Sequence, residues 1–292
     1  MRWLTDPFGS SFMARAAVGV VALGVAGPVT GCWIVLRRLT YLSDAMSHAV
    51  LAGVAGAALA GVSLTLGAGL AAVVMALATA LLVLRAGVAE DAAVGVAGQA
   101  LFALGIVLVG LRRDDPRALS HVLFGNPLTV GTGDLVVQVA TAAVVVAGVC
   151  VLLPLLTATT FDAGHARTVG IPVVRVETAL LVGLGLTVVI GLTTVGVLMA
   201  IAMVVVPPTA ARLVTRRLPA LLVTAAALGT AAGLIGLVVS YHAGLPPGPV
   251  IALCTVAEVV VAAALRRAPG PLQPRTVRDR QGGHAELAAR GG

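Results

Sequence analysis

The chain has 292 residues, of which 59% are hydrophobic and 11% are charged, and its mean hydropathy is +1.06. Soluble domains carry about 25% charged residues, so this composition excludes an ordinary soluble protein and indicates an integral membrane protein. The net charge of +7 does not indicate nucleic-acid binding, because the arginines that cause it lie in short loops and a C-terminal tail, where membrane topology explains them.

The pattern of apolar residues predicts an all-α fold, a polytopic membrane bundle of eight or nine transmembrane helices. Long stretches of the chain lack Asp, Glu, Lys, Arg and His, and some of them are expected to hold two spans, since one span needs about 20 residues. Spans are predicted, in chain order, at residues 14–36, 45–61, 64–84, 93–111, 133–157, 173–191, 195–212, 219–240 and 247–265. The count depends on residues 191–196, which form either a turn between two spans or a kink in one long helix. The turn is the preferred interpretation.

The distribution of arginines predicts the orientation of these spans. With nine spans and the amino terminus outside, 14 arginines lie on the cytoplasmic side and five on the outer side, as the positive-inside rule requires. The first apolar stretch has no small-residue cleavage site behind it and is therefore expected to be retained as a span. Residues 1–265 form the predicted membrane domain. Residues 266–292, rich in Arg, Pro and Gly, are predicted to be a disordered cytoplasmic tail.

All 19 basic residues are arginine, and the chain contains no lysine. A nucleotide-binding loop of the form G-x-x-x-x-G-K-[ST] requires a lysine. The chain therefore has no ordinary P-loop ATPase site of its own, and if ATP drives its activity, another subunit must bind the nucleotide.

Asp44 and His48, at the beginning of the second predicted span, are the main indication of function. On a helix they lie one turn apart on the same face, and a membrane tolerates such groups where they face protein or water, often on an ion or proton pathway. Both are ligands for divalent transition metals, although two side chains do not fill a metal's coordination shell. In the structural alternative, Asp44 merely caps the helix and His48 hydrogen-bonds within the bundle.

Residues 36–53, Leu-Arg-Arg-Leu-Thr-Tyr-Leu-Ser-Asp-Ala-Met-Ser-His-Ala-Val-Leu-Ala-Gly, resemble a motif of the membrane subunits of zinc, manganese and iron ABC importers, the ABC-3 permease family. Later segments are similar to that family's motifs in the expected order, and the resemblance covers roughly residues 12–262. These segments are 90–95, 123–126, 161–172, 195–207 and 209–212.

The resemblance implies a homodimeric permease of the type II importer architecture in the plasma membrane. Its partners would be a cytoplasmic ATP-binding subunit, an extracellular metal-binding protein and a second copy of the chain. No cofactor would be bound stably, and the transported ion would be Mn²⁺ or Zn²⁺, with Fe²⁺ next. Asp44 and His48 match the positions expected to meet this metal.

The resemblance also implies a loop that couples the permease to the ATPase. The residues that match it are Phe161, Asp162, Ala166, Arg167 and Gly170, and a plain polar turn is the alternative. Glu90 and Asp91, at the start of a predicted span, either stabilise the positive end of the helix dipole or help the metal to leave.

Two other functions remain open at this stage. A type II importer for a siderophore or a corrinoid would share the architecture but needs a wide pathway and no inward-facing pair of metal ligands. A secondary transporter would use Asp44 and His48 as a proton relay. An ABC importer, whether of metal, siderophore or corrinoid, requires a stable partner with ATPase activity, whereas a secondary transporter does not.

Overall fold

The structure is a computed structural model that describes residues 11–111, 131–194 and 196–267. Within these residues the chain forms ten helices: α1 Ser11–Arg37, α2 Thr40–Ala60, α3 Leu64–Ala86, α4 Glu90–Leu111, α5 Thr132–Phe161, α6 Ala163–Thr168, α7 Val173–Thr194, α8 Val197–Val214, α9 Leu218–Ala243 and α10 Pro247–Arg267. All except α6 match predicted spans, which confirms the predicted all-α membrane bundle. The predicted tail lies almost entirely outside the described residues, as does the motif at 123–126.

The helices α7 and α8 form an antiparallel hairpin. Arg37, the last residue of α1, contacts Glu177 near the start of α7, and Arg212 near the end of α8 donates a hydrogen bond to the Val35 carbonyl at 3.4 Å. Because the start of α7 and the end of α8 lie beside the same end of α1, the two helices cannot be one tilted span. The predicted turn is thereby confirmed, although α7 continues beyond Gly191 and the break falls at Gly196, whose φ is +88°.

Eight of the described helices are long and apolar enough to cross a membrane, and α8 contributes a shorter apolar helix, Ala200–Val214. The end of the bundle that carries Arg37, Glu177 and α6 is called the α6 end below. Its assignment to the cytoplasm stays a prediction from the arginine count.

The α1 helix lies in the middle of the bundle, against α5, α7, α8 and α9. Proline supplies no N–H, so Pro207 and Pro208 in α8 leave the carbonyls of Met203 and Val204 without their usual helical donors. Both carbonyls face glycines of α1: a Cβ at Gly27 would lie 3.4 Å from the Met203 oxygen, and a Cβ at Gly31 would overlap the Val204 oxygen. The approach is close enough for a Cα–H contact at Gly31, which covers the Val204 carbonyl, whereas Gly27 faces the Met203 carbonyl at ordinary contact distance.

The same arrangement occurs between α1 and α9. Pro28 leaves the Gly24 carbonyl without its helical donor, and a Cβ at Gly229 would lie 2.8 Å from that carbonyl oxygen. Three of the four glycines in the Gly-x-x-x-Gly patterns at 27–31 and 229–233 thus lie where proline has exposed a backbone carbonyl, and the fourth, Gly233, lies against the Val20 side chain. This gives a physical reason for the predicted close packing.

Candidate metal-translocation site

The α2 helix begins at Thr40, five residues earlier than the predicted span. Asp44 therefore lies in the second turn and does not cap the helix; the N-cap position is Leu39, which makes no side-chain cap bond. The interpretation of Asp44 as a structural cap is wrong. With a rise of 1.5 Å per residue, Asp44 and His48 lie about 6 and 12 Å from the start of α2, in the half of the helix nearer the α6 end.

The two side chains meet as the helical spacing predicts. His48 Nε2 lies 3.5 Å from Asp44 Oδ2, and the side chains are 40% and 49% exposed, respectively. The adjacent residues Ser43, Ala45, Met46 and Ser47 are buried in the bundle. The pair consequently points away from the core of its own chain, and oxygen and nitrogen atoms of both residues are accessible.

The neighbouring α4 helix fixes the surroundings of His48. The Phe102 ring lies against the imidazole, with ring centroids 4.7 Å apart and an interplanar angle of 57°. This contact is possible because α2 and α4 approach closely: Cβ atoms at Gly98 and Gly105 would lie 3.0 Å from Ala45 and Ala52 of α2. Nothing in the sequence spacing indicates Phe102, since it lies 54 residues from His48 in the chain.

The described residues of one copy of the chain do not supply a complete metal site. Within the described residues, no group of three or more His, Cys, Asp or Glu side chains is close enough to hold a metal ion. Asp44 and His48 provide two ligands, whereas transition metals in proteins usually have four to six. A metal bound by this pair would take its further ligands from elsewhere, such as water, backbone carbonyls or another polypeptide.

The segment that resembles the coupling loop forms the short helix α6 at the α6 end. Asp162 is its N-cap, and its Oδ1 accepts a hydrogen bond from the His165 N–H at 2.8 Å. The predicted coupling residues separate into two groups. Phe161, Asp162 and Arg167 are exposed, whereas Ala166 is fully buried and Gly170 forms the following turn with a φ of +85°.

The structure places Glu90 and Asp91 in the first turn of α4, at the α6 end. Asp91 is exposed, and the Glu90 side chain lies outside the described set. Glu258, in α10, is partly buried in a groove of about 380 Å³ that is bordered by Thr224 and Cys254.

A buried polar cluster at the α6 end was not predicted from the sequence. The Arg37 guanidinium donates from Nη2 to Thr159 Oγ1 at 2.9 Å, from Nε to Thr160 Oγ1 at 3.0 Å and from Nη1 to Glu177 Oε1 at 3.5 Å. The Arg37 and Glu177 side chains are 8% and 18% exposed. The partners lie more than 120 residues from Arg37 in the chain, so the sequence offers no spacing signal for them.

Comparison with known proteins identifies the family. The family model described as the ABC 3 transport family matches residues 10–266. The chain belongs to this family. It is therefore a multi-pass permease subunit of an ABC transporter, as the motifs predicted, and the same likeness indicates the plasma membrane.

Several relatives of this ABC-3 permease carry names that refer to metals. The chain is 34% identical over 264 residues to the chelated iron transport system membrane protein YfeD of Yersinia pestis, covering 89% of this chain and 87% of that protein. It is 36% identical over 243 residues to the manganese transport system membrane protein MntC of Halalkalibacterium halodurans, covering 83% of each.

Two solved structures share the fold. PsaBC from Streptococcus pneumoniae, determined in complex with a Fab, has a TM-score of 0.79 and 27% identity, and the match covers 89% of this chain and 94% of that one. An inward-facing conformation of a metal-chelate type ABC transporter has a TM-score of 0.69 at 13% identity, which bears on the fold alone.

Proposed function

We propose that this permease is the membrane subunit of an ATP-driven importer of a divalent transition metal, Mn²⁺ or Fe²⁺, with Asp44 and His48 as its ligands in the translocation path. The observation that carries the proposal is the position of this pair: two metal-ligating side chains, one turn apart and about half exposed, on a membrane helix of an ABC permease. The names of the relatives favour manganese and iron. Zinc has less direct support.

The exposure of the pair supports a second copy of the chain as a partner. An ionised side chain that faces hydrocarbon costs several kcal/mol, so the face of α2 that carries Asp44 must be covered by protein or water. If two copies meet at this face, their two pairs supply four ligands around one water-accessible path. Four ligands from separate, movable subunits can bind an ion and release it again, which a closed structural site does not do.

The partners would act at opposite ends of the bundle. A cytoplasmic ATP-binding subunit would contact the exposed side chains of Phe161, Asp162 and Arg167, while buried Ala166 and the Gly170 turn would hold α6 in place. An extracellular protein would deliver the metal at the other end. Glu90 and Asp91, at the α6 end, would offer carboxylates to the departing ion.

Uptake of radioactive manganese into proteoliposomes that contain the complete transporter tests the metal site. Asp44→Asn replaces a charged carboxylate by a weaker amide ligand, and His48→Gln removes the imidazole nitrogen, with little change in side-chain size. Each is expected to reduce uptake at low metal concentration at least about tenfold. Asp134→Asn and His242→Gln are matched controls, because they make the same chemical changes near membrane boundaries away from α2. Uptake that is unchanged in both Asp44→Asn and His48→Gln would remove the proposed site.

The same proteoliposomes test the energy source. Uptake should require ATP and the ATP-binding subunit. Uptake that persists without ATP and follows an imposed pH gradient would instead support a proton-coupled transporter. Uptake of an intact siderophore or corrinoid, with no uptake of the free ion, would support the other type II importer.

A further inference from the structure

The Arg37 cluster joins three parts of the chain that the proposed function needs to move together. Thr159 and Thr160 lie in the last turn of α5, which ends at Phe161, and Asp162 caps α6. Glu177 lies in the second turn of α7, the helix that follows α6. Arg37 is the last residue of α1, and α2, which carries the metal-ligand pair, begins at Thr40.

Thr159 is well prepared to accept its hydrogen bond from Arg37. The Thr159 hydroxyl donates its proton to the Leu155 carbonyl at 3.0 Å, within its own helix. Its lone pairs are therefore available to the Arg37 guanidinium. The planar guanidinium presents donors in several directions at fixed angles, so it can bind both threonines and a carboxylate at once, which a lysine ammonium on a flexible chain does less well.

Apolar packing between α5 and α7 is interrupted by a groove near this cluster. A groove of about 450 Å³ lies between the two helices, bordered by Leu156 and Leu180 and, toward the α6 end, by Arg175 and Thr178. Side chains that line a groove lose contacts with the opposite wall. The bonds from Arg37 to α5 and α7 therefore make a specific connection where close contact between the two helices is incomplete.

The connection from Arg37 to α2 is short and rigid. Arg38 has a φ of +62°, and the Leu39 N–H donates to the Ile34 carbonyl at 3.0 Å, so the chain reverses within two residues. Asp44 follows about 6 Å along α2. A displacement of Arg37 would therefore shift the beginning of the helix that holds the proposed metal ligands.

We infer that Arg37 is a positioning residue that transmits movement of α6 to Asp44 and His48, through its bonds to the ends of α5 and α7 and through the tight turn into α2. The inference rests on the proposed function, since it assumes that α6 contacts the ATPase. In this role Arg37 couples ATP hydrolysis to metal movement without touching the metal.

The test measures metal taken up per ATP hydrolysed by the complete transporter in proteoliposomes. Thr159→Val keeps the side-chain shape and removes the acceptor for Arg37, and Arg37→Lys keeps the charge and removes the fixed geometry. Each is expected to lower the metal taken up per ATP hydrolysed roughly fivefold or more. A fivefold change is at the lower end of the coupling usually found between two sites. The apparent KM for the metal should change little, because neither residue touches the ion.

Two variants distinguish coupling from general stability. Thr159→Ser retains the hydroxyl and should restore the wild-type ratio. Thr157→Val, two residues earlier in α5, removes a hydroxyl that bonds to the Leu153 carbonyl and contributes nothing to the Arg37 cluster. It should leave the ratio unchanged, although it alters the same helix.

The outcomes separate this inference from the proposed function. If the wild-type transporter takes up no metal with ATP, the proposed function fails. If the wild type is active and both Thr159→Val and Arg37→Lys keep its ratio, the role of Arg37 fails while the proposed function stands. If Arg37→Lys does not insert into membranes, the comparison of Thr159→Val with Thr159→Ser still decides the question.

Discussion

Replacement of Gly31 by alanine tests how the centre of the bundle is held together. Gly31 of α1 faces α8 at the point where Pro208 leaves the Val204 carbonyl without a helical donor. An added Cβ would overlap the Val204 oxygen and would lie 2.7 Å from its carbonyl carbon and 3.1 Å from Pro208 Cγ. The first two atoms belong to the backbone, so they cannot rotate away, and the two helices would have to separate.

The cost can be estimated from these contacts. Ordinary van der Waals contact between such atoms needs about 3.4 Å or more, so α1 and α8 would move apart by on the order of 1 Å. Overpacking of this kind typically costs about 1–3 kcal/mol. Loss of the close Cα–H contact to the Val204 oxygen adds roughly 0.5–1 kcal/mol, and the expected total is about 1.5–4 kcal/mol.

The effect is measured by thermal unfolding of the purified protein in detergent. The readout is the amount of protein that stays monodisperse after heating. Gly69→Ala, in α3, is the matched control, because a Cβ there meets nothing within 4 Å. Gly31→Ala should unfold at a clearly lower temperature than the wild type, and Gly69→Ala should not. Equal midpoints for the two variants would refute the idea that Gly31 is required by the Val204 carbonyl.

Three smaller changes test other contacts. Asp162→Ala removes the N-cap bond to the His165 N–H and should cost α6 about 1 kcal/mol, which we expect to reduce ATP hydrolysis stimulated by metal transport. Phe102→Ala removes the ring against His48; since such ring contacts contribute about 0.5–1.5 kcal/mol, the apparent KM for metal uptake should rise about 2- to 10-fold. Thr30→Val removes the hydroxyl 3.4 Å from Thr187 Oγ1 in the core and should lower stability by about 0.6 kcal/mol, less than Gly31→Ala in the same unfolding assay.

Conservative variants serve as controls for these three changes. Asp162→Asn keeps a capping oxygen and should retain stimulated ATP hydrolysis. Phe102→Tyr keeps the ring and should keep the KM. Thr30→Ser keeps the hydroxyl and should match the wild type in stability. Each physical explanation is contradicted if the conservative variant behaves like the disruptive one.

The sequence by itself determined the class of protein and limited the number of membrane helices to eight or nine. Charge-free stretches of about 20 residues leave few alternatives, because backbone N–H and C=O groups in a bilayer must be bonded within a helix. The spacing of Asp44 and His48 fixed their common face as soon as the segment was helical. The motifs around them identified the ABC-3 family.

The tertiary structure decided what depends on contacts between distant parts of the chain. It showed that α7 and α8 form a hairpin, because Glu177 and Arg212 both lie beside the end of α1. It also brought Phe102 to His48 and placed Thr159, Thr160 and Glu177 around Arg37. Helix periodicity specifies which residues share a face but not which helix covers that face, since many apolar surfaces rich in small residues can pack together. The partners of Arg37 and His48 therefore emerge only when the helices are assembled.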